Sequence, residues 1–161
     1  MQHSRMRRTA QLAALLLFPL SARAQSTTGA GTPPLVSPAI GLHYGGPLRT
    51  SLAIGLLVDV SEQRNASFVV AGEVGQQGRQ LSAGLQKMRG QFGSGYSLRG
   101  VVLRTREEPW NASPYTTYAG AEASLMIAFG VGGRVGYLRR VTKQVDTEHD
   151  NVMSFGVLIG I

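Results

Sequence analysis

The chain of 161 residues contains no cysteine. That excludes a disulfide framework, a thiolate metal site and the lipid-bearing cysteine that begins a bacterial lipoprotein. Long apolar runs are missing too: none approaches the about 18 residues of a helical membrane span. Aromatic residues make up only 7% and charged residues 16%. No Gly-rich loop stands before a helix start to cradle a phosphate, and there is no His-Glu-x-x-His zinc signature. Sequence therefore predicts no cofactor and no metal.

The charge that is present is basic, 16 Lys and Arg against 9 Asp and Glu, but much of it belongs to one end. Arg5, Arg7 and Arg8 precede the apolar stretch Leu12 to Leu20, and Ala22-Arg23-Ala24 offers small residues where a signal peptidase reads. Residues 1–24 are expected to be a cleaved signal peptide. Removing them takes four arginines and leaves a net charge of +3 over 137 residues, enough for one domain. The basic residues that remain are scattered, which argues against a nucleic-acid partner.

Residues 25–38 are rich in Ser, Thr, Gly and Pro and are expected to form a flexible lead-in. Beyond them, alternation dominates. From Leu48 to Val60 one face carries Leu48, Thr50, Leu52, Ile54, Leu56, Val58 and Val60. The other carries Arg49, Ser51, Ala53, Gly55, Leu57 and Asp59. Successive strand side chains point to opposite faces, so this is a strand with one apolar and one small or charged side. Eight such segments follow one another between Ala39 and Ile161, each about 10 residues, the length a tilted transmembrane strand requires. The longest connections are 105–114 and 142–150. The expected fold is all-β: an eight-stranded antiparallel up-and-down transmembrane barrel over 39–161. A chain entering lipid as strands must close, because an open edge leaves backbone groups unpaired.

In a barrel this small the lumen is filled by side chains, which argues against a wide channel. Strand parity puts Arg49, Glu73, Arg99, Glu122 and Arg134 inside. Buried charges need partners. Arg49 and Glu73 fall on neighbouring strands, and Glu122 is expected to bridge Arg99 and Arg134. Leu57, Val69, Val101, Leu103 and Leu138 share the interior parity. Outward, Tyr44, Tyr96, Tyr115, Phe129 and Phe155 stand near strand ends, where membrane barrels collect aromatics.

This architecture resembles the small eight-stranded outer-membrane barrels of the OmpA-like transmembrane type. The most specific element is the last strand, where Phe155, Val157, Ile159 and Ile161 alternate toward the carboxyl terminus; related barrels usually end in Phe or Trp where this chain has Ile161. The resemblance implies a place in the bacterial outer membrane of the cell envelope and contact with its lipid and its assembly machinery; the interior residues themselves point to structural pairing and to no catalysis. Members include anchors, adhesion proteins and a few lipid-modifying enzymes, so fold alone does not choose a role. The expected role is structural or one of surface interaction, through the loop residues Trp110, Asp146, Glu148 and Asp150.

Two other readings compete. A soluble exported barrel of the lipocalin or avidin kind binding a small apolar ligand would reverse the polarity, apolar inside and charged outside. A lipid-modifying enzyme would use His43 with a carboxylate and a hydroxyl such as Ser51. The second remaining histidine, His149, stands in an acidic loop that lacks the Gly and Glu spacing of an EF-hand.

Overall fold

The structure is a computed structural model; it describes residues 35–61, 66–89, 93–142 and 149–160. Eight strands follow one another: β1 (Val36–Gly46), β2 (Arg49–Ser61), β3 (Ala66–Gly75), β4 (Gly78–Arg89), β5 (Ser94–Thr105), β6 (Thr117–Ala128), β7 (Val131–Arg140) and β8 (Asn151–Gly160). Each pairs antiparallel with its neighbour in sequence, and β8 returns to β1 to close the barrel. The eight-stranded up-and-down architecture expected from alternation is the observed one. The signal segment, most of the lead-in, Asp146, Glu148 and Ile161 lie outside the described residues.

Alternation carries through to burial. In β7, Gly132, Arg134, Gly136 and Leu138 are buried while Val131, Gly133, Val135, Tyr137 and Arg139 are exposed. In β5, Ser97, Val101 and Leu103 turn inward and Tyr96, Leu98 and Val102 outward. Thirty large hydrophobic side chains are exposed among the described residues, from Leu35 to Ile159 and on every strand. Between Ile40 and Ile159 the middle rows of the outer wall hold only Leu, Ile, Val, Met, Phe, Tyr, Ala and Gly.

Two expectations need correction. β1 begins at Val36, so residues 36–38 belong to the barrel, paired with Leu56, Leu57 and Val58. At the other end of this hairpin the faces of Leu48 and Arg49 are exchanged. Leu48 is fully buried and Arg49 is exposed. The cause is local: Arg49 adopts φ 60°, a left-handed conformation that breaks the strand period. Regular alternation of β2 starts only at Thr50, and Arg49 does not meet Glu73.

One end of the barrel gathers the connections β1–β2, β3–β4, β5–β6 and β7–β8. There Leu48, Val101, Leu103, Tyr118, Leu138 and Val152 form a buried apolar cluster inside the wall. The apolar residues that broke the interior pattern at Val101, Leu103 and Leu138 thus form a plug under the loops. At the opposite end β6 turns into β7 through Phe129 and Gly130, both with positive φ (51° and 73°). Such a two-residue turn matches the right-handed twist of the strands it joins.

Candidate functional site

Beneath the plug the lumen holds a buried polar network. Its hub is Arg134 on β7, 5% exposed. Arg134 Nη1 donates to Glu73 Oε2 at 2.7 Å and Nη2 donates to Oε1 at 2.9 Å, a bidentate pair. Glu73 stands on β3, four strands from β7 around the ring, so this bond spans the lumen. The Ser51 hydroxyl also donates to Glu73. Arg134 Nη1 further lies 2.8 Å from His43 Nδ1, and Nδ1 lies 3.0 Å from Glu73 Oε2. The tautomer decides which of these contacts is a hydrogen bond: a bare Nδ1 accepts from Arg134, and a protonated Nδ1 donates to Glu73.

The second carboxylate is Glu122 on β6. Its Oε1 lies 3.7 Å from Arg134 Nη1, and its Oε2 accepts from Ser154 Oγ at 2.9 Å. Glu122, Gly136 and Ser154 occupy one row across β6, β7 and β8. A Cβ on Gly136 would stand 3.1 Å from the Glu122 Cβ and 2.9 Å from the Ala121 carbonyl. The glycine therefore leaves the gap through which Glu122 reaches Ser154.

Of the expected bridge, the Arg134 arm is present and the Arg99 arm is not a direct contact. Arg99 is the cross-strand neighbour of Glu122, yet its Nη2 donates to Gln86 Oε1 at 3.1 Å. Near the end opposite the loops, Asp59 accepts from Ser67 Oγ at 2.6 Å. The cavity between His43, Arg99, Glu122, Arg134 and Leu158 measures about 10 Å³, room for about one water molecule.

His43, Ser51 and Glu73 do come together, as an acyl-transfer site would need, but in another order. In such a site the imidazole takes the hydroxyl proton and the carboxylate orients the imidazole. Here Ser51 turns to Glu73, and all three side chains are buried inside the wall.

Above the plug, the β5–β6 loop crosses the mouth. Arg106 N donates to Gln77 O in the β3–β4 turn at 2.7 Å. Ala112 packs on the plug. Asn111 Nδ2 donates to Met153 O on β8 at 2.9 Å, and the ring of Trp110 meets Phe155 edge-on at 5.7 Å. Trp110 is thus hooked over the rim against the outer wall, still 43% exposed. Tyr118 ties the two long loops together: its Oη accepts from Ser113 N at 2.9 Å and donates to His149 O at 3.2 Å. Asp150, the one described acid of the set expected from the β7–β8 loop, pairs with Arg140 at 2.6 Å. Glu107 accepts from the Tyr115 hydroxyl at 2.6 Å, and this bond holds the phenol above its ordinary pKa.

Sequence reasoning did not foresee Gln86, Ser154 or Val152 in these contacts. Their interior parity was the available signal; the partner across the lumen was not. No family model, no curated protein and no solved structure matches this chain.

Proposed function

We propose that this protein is an exported, integral barrel of the bacterial outer membrane, similar in architecture to the OmpA-like type. Its lumen is closed, and its role is structural or one of surface interaction through the β5–β6 and β7–β8 loops rather than catalytic. The observation that carries the reading is polarity. Exposed Leu, Ile, Val and aromatic side chains surround all eight strands, while Arg134, Glu73, Glu122 and His43 are buried inside. Water outside would favour the reverse arrangement, since a soluble barrel with an apolar ligand keeps its charges outward. Aromatics stand toward both ends of the outer wall: Tyr44, Trp110, Tyr115 and Tyr137 at the loop end, Phe68, Tyr96 and Phe129 at the other. That spacing suits two membrane interfaces.

Val70, exposed in the middle of β3, provides the test. In lipid, Val70→Arg is expected to destabilise the barrel by about 2–4 kcal/mol; on a water-facing wall the change is about 0.5 kcal/mol or less. Unfolding of the heat-shiftable gel band, with protein taken from outer-membrane fractions, measures this. A neutral substitution, or a protein recovered soluble from the periplasm, overturns the reading.

The closed lumen predicts silence in planar bilayers. An apolar plug under the loops and a buried polar network beneath it carry this expectation. Steady unitary currents from the purified barrel would contradict this.

A further inference from the structure

The outer wall is not evenly filled. At the loop end of β4 and β5, Arg79 and Arg104 are directly paired across the strands and both point outward. Arg104 Nη1 is steadied by Thr117 Oγ1 at 3.2 Å. Among the described residues, no carboxylate forms an ion pair with either arginine. Beside and below them the wall sinks into an open hollow of about 630 Å³, lined by Leu52, Val74, Leu81 and Val102 and, where it meets the wall, by Glu73 and Gln80. The register explains the hollow. The row beneath the arginines runs Ile54, Gly72, Leu81, Val102, and its glycine leaves the outer face bare. A Cβ built on Gly72 would touch only Leu81 Cδ2, at 3.6 Å. The next row continues low through Ala83, Gly100 and Ala121.

We propose that this groove binds a phosphate-bearing acyl lipid, with the phosphate on Arg79 and Arg104 and an acyl chain laid over Gly72 toward the Ala83–Gly100–Ala121 row. The inference rests on the membrane reading above. Charge complementarity selects the occupant. Two guanidinium groups without acidic partners at an apolar boundary favour a phosphate, which they hold through paired N–H donors. The volume below lies within the range of small-molecule sites, and its apolar walls suit a hydrocarbon chain rather than a free anion.

The full-length barrel, kept in neutral detergent in its heat-shiftable form, is titrated with dioleoyl phosphatidic acid and with dioleoyl glycerol. Bound lipid is counted by native mass spectrometry. Two arginines near a charged surface correspond to about 30-fold tighter binding of the phosphorylated lipid. R79Q/R104Q is expected to remove that preference. G72L should weaken both lipids with the gel shift intact, since its side chain enters the groove without touching the lumen. Equal affinity for the two lipids, or unchanged binding in both variants, overturns the proposal. Displacement of phosphatidic acid by inorganic phosphate at matched concentration would assign a simple anion site instead. Loss of self-association in G72L without lipid binding would assign the groove to a second copy of the chain. Absence of any heat-shiftable form sinks the membrane reading and this inference with it, whereas a shifted band without lipid preference sinks the inference alone.

Discussion

Arg134→Met is expected to cost about 3–5 kcal/mol, the usual loss when one partner of a buried ion pair is removed. Arg134 answers both Glu73 and Glu122 and lies 2.8 Å from His43 Nδ1. Without it two carboxylates remain 5% exposed, and the cavity beside them has room for about one water. Urea unfolding of the shifted band in detergent reads the loss. The double variant Arg134→Met with Glu73→Gln is expected to recover part of it, because it removes the stranded charge as well. Glu122→Gln alone is expected to cost less, since its carboxylate lies 3.7 Å from Arg134 and keeps Ser154 as a donor. A single Arg134 variant as stable as the parent would mean that the network contributes nothing to holding the barrel.

The second large effect is expected at Tyr118. Its ring is fully buried in the plug, so Tyr118→Ala should cost about 3–5 kcal/mol through lost burial and the cavity left behind. Tyr118→Phe keeps the ring but strands the buried Ser113 amide and frees His149 O, at about 1–3 kcal/mol. The two variants separate packing from the tie between the loops. Under limited trypsin, Tyr118→Phe is expected to be cut faster after Arg106, an exposed residue at the root of the β5–β6 loop. Equal cutting rates in variant and parent would show that the loop is held by other contacts, such as Asn111 to Met153 and Trp110 on Phe155.

The candidate site was legible in the sequence to an uneven degree. Parity alone assigns Glu73, Arg99, Glu122 and Arg134 to the interior, and the structure puts all four side chains inside the wall, three of them buried. Arg49 shows where parity stops working: one left-handed residue beside a turn reverses two faces, and no period predicts that reversal. Partner choice was harder still. Neighbouring-strand logic matched Glu73 with Arg49 and Arg99 with Glu122, whereas Glu73 pairs with Arg134 and Arg99 with Gln86. Trp110 was readable as an anchor but not as one resting on Phe155, forty-five positions later.

What this chain determines by itself is what a strand determines locally. A period of two separates an apolar face from a small or polar one, turn residues mark the hairpins, and strand count with segment length sets the size of the barrel. Closure decided the rest. Once β8 meets β1, β3 and β7 face each other across a space a few side chains wide, and the long Arg134 side chain reaches a carboxylate four strands away. Gly136 lets Glu122 reach past a strand, and the apolar interior residues of four strands meet Leu48 beneath one loop. These contacts depend on curvature and on the diameter of the ring, quantities that belong to the closed sheet and to no single strand.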